Sequence, residues 1–497
     1  MSERGVEVNI MKIKPVLIAI IVIGYGMLTS GTAITSQSPR SAAFSFLSCF
    51  GGSDTDDCDD ITVDASGYIY LACHSLSNDF PGSRARDNSK DQDRMDAYIT
   101  KIDPKAGRVI YTTRLGGDKW DGAIRIKADR QGHAYVVGFT YSSDFPTTAN
   151  AARREFIGGE SDVFLVKLKT NGELEYSTFF GGSGKDQGNA LAIDNAGNLY
   201  FGGTTWSDDL PGVEKGSRNA GNGDGFVAVW NFDRPSTPRV KYIGGREVEK
   251  LTGIALDNSG NIFISGFTQS PDFPAHAALQ KNLSGKQDAF LTKLKLADLS
   301  YGFSTFIGGA GEDMAWGVAI DSGGRPHLAG GSMSTDFPTS ENAIQRNFKG
   351  DTDGFVTKFD AGGTRILYST YLGGRAYDSC GYDGGDITVD RDGNAWVVGM
   401  TDSTEFPTAN PMQASSGGGE GDGFVSVINP TGSLLLLSSY VGGSGRDILE
   451  GITLAPGGGV WATGLTGSRN LQTAGSLQKA HNGGLFDVML TRITPLR

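Results

Sequence analysis

A Gly-Gly pair recurs seven times along the chain, and its near-constant spacing limits the fold more than any other feature. The pairs are Gly51-Gly52, Gly116-Gly117, Gly181-Gly182, Gly244-Gly245, Gly308-Gly309, Gly373-Gly374 and Gly442-Gly443. Their spacings are 65, 65, 63, 64, 65 and 69 residues, and the neighbouring residues recur with them. Self-similarity at a fixed period indicates that one supersecondary unit is copied, so a single copy predicts the fold.

Four short runs rich in β-branched and aromatic residues make up each copy. In the third copy the runs are ALAID, LYFGGTT, DGFVAVW and VKYI, bounded by Gly, Asn and Asp. Such runs are typical of strands, and helical periodicity is absent. Two tight turns alternate with two longer connections. The pattern predicts four antiparallel strands per copy and hence a β-propeller, whereas solenoids, the alternative, usually have shorter and parallel repeats.

The two ends of the chain predict a closed ring. The last copy stops at FDVMLTRITPLR, its third strand, and the missing fourth strand type occurs at the other end as AFSFLSCF (residues 43–50). Pairing that N-terminal strand with the last blade removes two exposed sheet edges. We therefore predict an all-β, seven-bladed β-propeller of four-stranded antiparallel blades over residues 42–497. The predicted blades span about 51–115, 116–180, 181–243, 244–307, 308–372, 373–441, and 442–497 plus 42–50.

The hairpin turn after the first strand of each copy has its own recurring residues. It contains an Asp, a Gly and, three residues past the Gly, an aromatic residue or His. The Gly supplies the positive φ that such turns need, and we expect the ring to pack between adjacent blades. These rings belong to Tyr70, Tyr135, Tyr200, Phe263, His327 and Trp396. The last copy departs from the pattern because Ala455 replaces the turn Asp.

The first residues form a separate segment. Lys12 and Lys14 precede the apolar run VLIAIIVIGYGML, and small residues follow up to Ala33. Basic, apolar and small-residue regions in this order are typical of a secretory signal cleaved after Ala33, and the run is short for a membrane span. We predict a signal peptide over residues 1–33, or alternatively an uncleaved anchor, and a linker over residues 34–41. The expected location is secreted, periplasmic or at the cell surface.

Composition and charge restrict the partners. The 73 glycines and the 10 % of aromatic residues fit an all-β protein with many tight turns. The net charge of −12 argues against nucleic acid or an anionic membrane surface as partner. We expect a monomer that binds an extracellular glycan, protein or cell-wall ligand, and that meets a membrane only through an uncleaved N-terminal segment.

Several segments resemble the bacterial seven-bladed β-propeller repeat family, abbreviated SBBP. They are GGSGKDQGNALAIDNAGNLYFGGTT, DGFVTKFDAGGTRILYSTYLGG and the Asp-Phe-Pro element at residues 143–146 and 335–338. The hairpin VAIDSGGRPHLAG is also similar to the NHL type of blade. Family membership implies an exported or cell-surface protein, and it implies little about activity.

Two carboxylates recur in every copy at the face where both long connections are expected to open. One stands five residues after the first Gly of each pair, and the other stands at the entry to the third strand. The first carboxylate set is Asp56, Asp121, Asp186, Glu249, Asp313, Asp378 and Asp447. The second carboxylate set is Asp96, Asp162, Asp224, Asp288, Asp353, Asp422 and Asp487. Because loops on a rigid scaffold carry function, this face is the expected binding face.

Two interpretations of these carboxylates remain open. In the structural one, each carboxylate accepts hydrogen bonds from backbone N–H groups of the adjoining glycine loop and locks the blade connection. In the functional one, the first carboxylate set forms an acidic rim at the channel mouth and holds cations, with Ca²⁺ as the predicted ion. Like charges on neighbouring blades repel, so the rim attracts cations or protons unless hydrogen-bond donors satisfy it.

Two of the four cysteines are placed to form a disulfide. Cys58 lies six residues before Asp64, and Cys73 lies six after Gly67, so they face each other across the first hairpin. Export would permit a Cys58–Cys73 bridge. Cys49 and Cys380 have no evident partner, and no Cys-x-x-Cys spacing suggests zinc.

Two functions from different classes fit these features. The favoured one is an exported, non-catalytic ligand-binding or surface scaffold that acts through the long-loop face, with no catalytic residues or certain cofactor predicted. The alternative is an extracytoplasmic glycan lyase or hydrolase that uses channel-mouth carboxylates as acid and base. One asymmetric pocket with two carboxylates, an aromatic platform and a base would favour the enzyme. A uniform sevenfold rim would favour binding.

Overall fold

Strands account for all the regular secondary structure in the described part of the chain. The structure is a computed structural model that describes residues 44–83, 94–214, 219–232, 237–381 and 387–494. Within these ranges no helix has the length and hydropathy of a membrane span. The predicted signal peptide over residues 1–33 and the linker over residues 34–41 lie outside the described residues.

Blades 1 to 3 each contain four consecutive antiparallel strands. Blade 1 consists of β2 (Asp56–Val63), β3 (Ile69–Ser75), β4 (Asp96–Asp103) and β5 (Arg108–Leu115). Blade 2 consists of β6 (Asp121–Ala128), β7 (Ala134–Thr140), β8 (Asp162–Leu168) and β9 (Leu174–Phe180). Blade 3 consists of β10 (Asp186–Ile193), β11 (Leu199–Thr205), β12 (Asp224–Trp230) and β13 (Arg239–Ile243).

Blades 4 and 5 repeat this arrangement, and blade 6 has an interrupted first strand. Blade 4 consists of β14 (Glu249–Leu256), β15 (Asn261–Thr268), β16 (Asp288–Lys295) and β17 (Tyr301–Ile307). Blade 5 consists of β18 (Asp313–Ile320), β19 (Pro326–Ser332), β20 (Asp353–Phe359) and β21 (Ile366–Leu372). Blade 6 consists of β22 (Asp378–Ser379), β23 (Ile387–Val389), β24 (Ala395–Thr401), β25 (Asp422–Ile428) and β26 (Leu435–Val441). Both β22 and β23 pair with β24, so together they take the place of one strand.

The two ends of the propeller close the ring in blade 7. This blade consists of β27 (Asp447–Leu454), β28 (Val460–Thr466), β29 (Asp487–Ile493) and β1 (Phe44–Phe50). β1 pairs antiparallel with β29, for example Leu47 opposite Thr491 and Cys49 opposite Met489. Phe50 is buried among residues of the last and first blades, whereas Leu47 is buried among residues of blades 6 and 7. The predicted seven-bladed ring, closed by the N-terminal strand, is therefore confirmed.

The core lies between neighbouring blades. Tyr70 of blade 1 is fully buried with blade 2 residues, and its hydroxyl donates a hydrogen bond to the Gly132 carbonyl at 3.1 Å. His327 is likewise fully buried, in the same turn position of blade 5. The contacts of Tyr70 confirm the predicted packing between blades for this turn aromatic. The Phe of the Asp-Phe-Pro element packs on the third strand of its own blade, as Phe145 does on Phe164, with ring centroids 4.6 Å apart.

The strand that follows each Gly-Gly pair is innermost, since β2, β6, β10 and β14 pack successively against one another. Because these strands run in the same direction, the two ends of the channel differ. At the long-loop face lie the Gly-Gly loops and the connections between second and third strands, such as residues 141–161. At the tight-turn face lie the short hairpins, such as residues 64–68.

Candidate functional site

Both carboxylate sets lie at the long-loop face, and every member is buried. Members of the first carboxylate set begin the innermost strands, and members of the second begin the third strands. Their side chains and main chains together are at most 1 % exposed. The predicted rim is therefore a ring of buried groups and not an open row of charges.

Hydroxyl and backbone donors surround the first carboxylate set. Asp186 accepts hydrogen bonds from the Gly182 N–H at 2.7 Å, from the Ser207 hydroxyl at 2.9 Å and from the Thr205 hydroxyl. The second Gly of every pair donates in the same way, from Gly52, Gly117, Gly182, Gly245, Gly309, Gly374 and Gly443. The predicted hydrogen bonds between these carboxylates and the glycine loops are confirmed.

The second carboxylate set ties the long connection to the next Gly-Gly loop. Asp288 Oδ2 accepts hydrogen bonds from the Ser284 N–H at 2.9 Å and from the Gln280 amide at 2.7 Å. The Gln280 side-chain oxygen, Oε1, in turn accepts a hydrogen bond from the Gly308 N–H at 3.1 Å. Several second-set carboxylates keep one buried oxygen with no hydrogen-bond partner among the described residues: Asp162, Asp224, Asp353 and Asp422.

The first Gly of each pair separates two carboxylates from adjacent blades. A Cβ on Gly181 would lie 2.5 Å from Asp162 Oδ1 and 2.7 Å from Asp186 Oδ2, so only glycine fits there. Burial, together with the charge of Asp186, raises the pKa of Asp162 to about 7. Burial also raises the pKa of Asp186 to about 6. The junction of blades 2 and 3 thus holds two carboxyl groups that resist ionisation.

The hydrogen bonds of the first carboxylate set and the packing of the glycine backbone affect the space and the lone pairs available at the predicted calcium rim. The lone pairs that would ligate Ca²⁺ already accept protein hydrogen bonds, and the glycine backbone fills the gap between paired carboxylates. Among the residues that the structure describes, no group of three or more His, Cys, Asp or Glu side chains could hold a metal ion. The structural interpretation accounts for the observed contacts, and calcium binding remains a prediction.

A bulge in the innermost strands aims one side chain per blade away from the regular pairing. The register shifts between Cys58 and Asp60, and an equivalent shift occurs in five other innermost strands. The extra residues differ between blades: Asp59, Ile124, Asn189, Thr252, Trp316 and Glu450. Bulges commonly re-aim side chains beside functional sites. Here they make the channel wall asymmetric, although the blades are repeated.

A cavity of about 250 Å³ opens among the innermost strands of blades 1 to 4. We call it the mouth cavity, and its principal lining residues are Asp59, His74, Trp120, Phe139, Gln187, Asn189 and Lys250. Trp120 is 52 % exposed, which is unusual for the largest apolar side chain. Lys250 closes the opposite side, with its ammonium 5.6 Å from the ring centre of Trp316.

His74 is held between two carboxylates at the blade 1 side of the mouth cavity. Its Nδ1 lies 3.0 Å from Asp59 Oδ2, and its Nε2 lies 3.8 Å from Asp57 Oδ2. Burial lowers the pKa of His74, but the charges of Asp59 and Asp57 outweigh it and raise the pKa to about 9. The imidazole is therefore protonated at neutral pH.

Comparison with known sequences identifies the repeat. A sequence model of the SBBP family, described as a β-propeller repeat, matches residues 175–211 and 367–407. These segments span the Gly-Gly pairs and second strands of blades 3 and 6. Blades 3 and 6 of the propeller therefore contain matches to the SBBP β-propeller repeat.

One curated protein shares sequence with most of this propeller. Regulatory protein FlaEY of Caulobacter vibrioides is 23 % identical over 384 residues, or 73 % of this chain and 38 % of that protein. The chain thus spans 38 % of the length of the relative that it matches.

Two solved structures that resemble this chain share little of its sequence. The Pan2 WD40 domain of Neurospora crassa has a TM-score of 0.45 and 8 % identity, covering 93 % of this chain and 98 % of that chain. A polysaccharide lyase, ulvan lyase, has a TM-score of 0.46 and 10 % identity, covering 90 % of this chain and 95 % of that chain.

The cysteines of the propeller are arranged as predicted. Cys58 and Cys73 are directly opposite on β2 and β3 and form a disulfide, with their Cα atoms 3.9 Å apart. Cys49 and Cys380 are free and buried. Burial raises the pKa of the Cys49 thiol to about 12, so it stays protonated.

The residues of the mouth cavity were not predicted from the sequence. The bulge residues lie eight positions after the first Gly of each pair, as Asp59 does after Gly51. This position varies in chemical type between copies, while small or apolar residues flank it in most of them. The variation of residue type at this one position of the repeat was therefore the sequence signal that could have indicated the cavity. Pairing His74 with Asp59, by contrast, required the strand register.

Proposed function

We propose that this protein is an exported, non-catalytic propeller that binds a glycan in the mouth cavity of its long-loop face. The observation that carries the proposal is the asymmetric lining of that cavity. Trp120 and Phe139 offer aromatic faces, while Asn189, Gln187 and Asp59 offer hydrogen-bonding groups beside them. Apolar walls with a few well-placed polar groups are the usual composition of a small-ligand site.

The size of the mouth cavity favours one sugar residue over a polymer segment. Its volume of about 250 Å³ is below the roughly 300–1,000 Å³ of sites for drug-sized ligands. A sugar ring has apolar C–H faces that can stack on Trp120 and hydroxyl groups that can bind Asn189 and Gln187. The end of a glycan chain, or a short branch, is therefore the expected ligand.

The hydrogen bonds of Asp121 favour binding over catalysis. Asp121 lines the mouth cavity, but its Oδ2 accepts the Gly117 N–H at 2.8 Å and the Ser142 hydroxyl at 2.9 Å. Glycoside hydrolysis requires two carboxyl groups free to act on opposite sides of the bond. Among the residues that line the mouth cavity, Asp59 has no second carboxylate that is free to act in this way.

The disulfide of blade 1 and the N-terminal sequence pattern both support export. A disulfide such as Cys58–Cys73 persists mainly in oxidising compartments, and the N-terminal sequence pattern is typical of secretion. We propose that the ligand is met outside the cytoplasm and that the protein acts as a monomer.

A glycan array with the full chain tests the proposed function. We expect a defined subset of glycans to bind, and Trp120→Ala to weaken their binding about tenfold, as expected for the loss of one stacking contact. Leu434→Ala is the matched control, because Leu434 is 55 % exposed in a turn of the opposite face. Binding to no glycan, or equal loss in both variants, would contradict the proposal.

A second candidate function is a glycan lyase or hydrolase that acts at the same cavity. The His74–Asp59 pair favours it, because a charged imidazole beside an aromatic wall can serve as a general acid. Incubation of array-positive glycans with the protein, followed by analysis of released reducing ends, decides between the two. Turnover that His74→Ala abolishes would establish the enzyme, and intact glycans would support binding.

A further inference from the structure

A cation lies over the turn aromatic in several blades, always from the same register of the third strand. This register is five residues after the second-set carboxylate. The distances from the cation to the ring centre range from 4.8 to 5.6 Å. The pairs are Lys101 with Tyr70, Lys167 with Tyr135, Lys293 with Phe263, and Arg492 with Trp461.

In blades 4 and 5 the turn Asp neutralises this cation. Lys293 lies 3.5 Å from Asp257, and Lys358 lies 3.0 Å from Asp321. In blade 2 a different carboxylate serves, since Lys167 lies 2.9 Å from Glu175. In blades 2, 4 and 5 the positive charge at this register is therefore matched by a carboxylate inside the protein.

In blades 3 and 6 the cation is absent, and the turn carboxylate has different partners. Val229 and Val427 replace the cation there. Their turn carboxylates bind neutral donors instead: Asp194 accepts from the Asn198 amide at 2.7 Å, and Asp390 accepts from the Trp396 indole at 2.9 Å.

Blade 7 keeps the cation and lacks the carboxylate. Ala455 stands at the turn Asp position, with the same backbone hydrogen bonds as its counterparts: its N–H donates to Gly459 and its carbonyl accepts from Gly458. The buried Nε of Arg492 has no hydrogen-bond acceptor among the described residues. Leaving a guanidinium donor desolvated and unmatched is costly.

A cavity of about 210 Å³ adjoins Arg492 between blades 7 and 1. It is lined by Trp461 and Phe46, whose rings meet edge to face at 5.3 Å, and by Ser45, Ser66 and Lys105. The nearby Asp103 is engaged by its own turn, since its Oδ1 accepts the N–H groups of Lys105 and Ala106. The cavity thus combines two cations, two hydroxyl groups and an apolar floor.

We propose that this cavity binds the carboxylate of a small ligand, which takes the place that the turn Asp fills in blades 4 and 5. The Arg492 guanidinium supplies paired N–H donors suited to a carboxylate, and Lys105 adds a second positive charge. The site lies on the tight-turn face and is separate from the mouth cavity. It therefore goes beyond the proposed glycan site.

Ligand titrations of the full chain test this site. Sodium acetate and sodium glucuronate are the carboxylate probes, inorganic phosphate is the competing anion, and glucose is the neutral control, all at constant ionic strength. We expect a saturable rise in melting temperature with both carboxylates and none with glucose. No saturable response to either carboxylate, or tighter binding of phosphate, would overturn the proposal.

Two variants of the site and one control variant make the test specific. Arg492→Met keeps the aliphatic stem and should weaken carboxylate binding at least tenfold. Ala455→Asp supplies an internal carboxylate, so it should raise the melting temperature without ligand and abolish carboxylate binding. Arg391→Met, at an exposed turn of blade 6, should bind as the unmodified protein does. Carboxylate binding by Ala455→Asp at unchanged affinity would refute the site even if Arg492→Met fails to fold.

Discussion

The glycines in the middle of the second strands are required by the bulges opposite them. A Cβ on Gly266 would overlap the Lys250 carbonyl oxygen, because the bulged strand brings that oxygen unusually close. A Cβ would also overlap a carbonyl oxygen of the neighbouring first strand at Gly138, Gly203, Gly330 and Gly399. In blade 1 this position is Cys73, where the disulfide to Cys58 ties the two strands together instead.

We predict that Gly266→Ala destabilises the propeller. The methyl group must displace main chain on either strand, and overpacking of this kind costs about 1–3 kcal/mol of unfolding free energy. Urea unfolding followed by tryptophan fluorescence measures the change. Gly362→Ala is the control, since a Cβ there would have its nearest neighbour at 3.6 Å. Equal stabilities of the two variants would show that the bulge tolerates a side chain.

At the scale of single elements, β1 carries the closure of the ring. Phe50 is 2 % exposed and packs edge to face on Phe80 of blade 1, with ring centres 5.3 Å apart. It belongs to β1 in blade 7, so one side chain joins the last blade to the first. Closing the ring leaves no free edge on β29 for another chain to pair with.

We predict that Phe50→Ala lowers the free energy of unfolding by about 3–5 kcal/mol, the usual cost of truncating a buried Phe. Phe44→Ala, at the partly exposed start of the same strand, should cost much less. Calorimetry of both variants gives the comparison. If Phe50→Ala melts like the unmodified protein, β1 is not needed to hold blades 7 and 1 together.

The innermost strands show how one element can serve two purposes. Their paired residues repeat from blade to blade, as the first carboxylate set does, and so maintain the ring. Their bulge residues are free of this constraint and differ, as Asp59, Asn189 and Trp316 do. Ligand specificity can therefore change at the bulge without loss of the blade junction.

For the whole molecule, the paired carboxylates predict an unusual dependence of stability on pH. Burial raises the pKa of Asp56, Asp121 and Asp224 to about 7. A raised pKa stabilises the fold below the unfolded value near 4, and this stability is lost as pH rises through about 7. His74 acts in the same direction, because its pKa is raised to about 9.

We therefore predict that unfolding free energy falls between pH 5.5 and pH 8, the range in which these groups titrate. Asp321, whose pKa is lowered by its His327, Arg325 and Lys358 hydrogen bonds despite burial, loses its contribution only at more acidic pH. Urea unfolding at both pH values measures the slope. Asp162→Asn, which keeps the shape and removes one ionisation, should stabilise the protein at pH 8 and reduce the slope. A slope that this variant leaves unchanged would contradict the assignment.

The first carboxylate set gives a prediction about metal removal. Because its oxygens already accept protein hydrogen bonds, we expect the melting temperature to stay the same after treatment with a chelator. A fall that added Ca²⁺ restores, and Mg²⁺ does not, would instead establish the calcium rim.

The propeller, its closure by β1 and the Cys58–Cys73 disulfide were predictable from the sequence alone. Each depends on spacing within a repeat, and a repeat places equivalent residues at equivalent positions. The two acidic positions of each repeat were also evident from the sequence. The sequence did not decide whether these carboxylates accept hydrogen bonds or bind a metal ion. Repetition cannot show how deeply a residue is buried or which donors surround it.

Which differences between the repeats create ligand cavities became evident only from the three-dimensional structure. His74, Asp59 and Lys250 come from three different strands, and Arg492 and Lys105 line one cavity only because the last blade lies beside the first. Lys105 and Arg492 are 387 positions apart in the chain, and no local pattern records that they line the same cavity. Closing the ring creates these sites because it brings the distant, non-equivalent residues of separate blades to the same cavities.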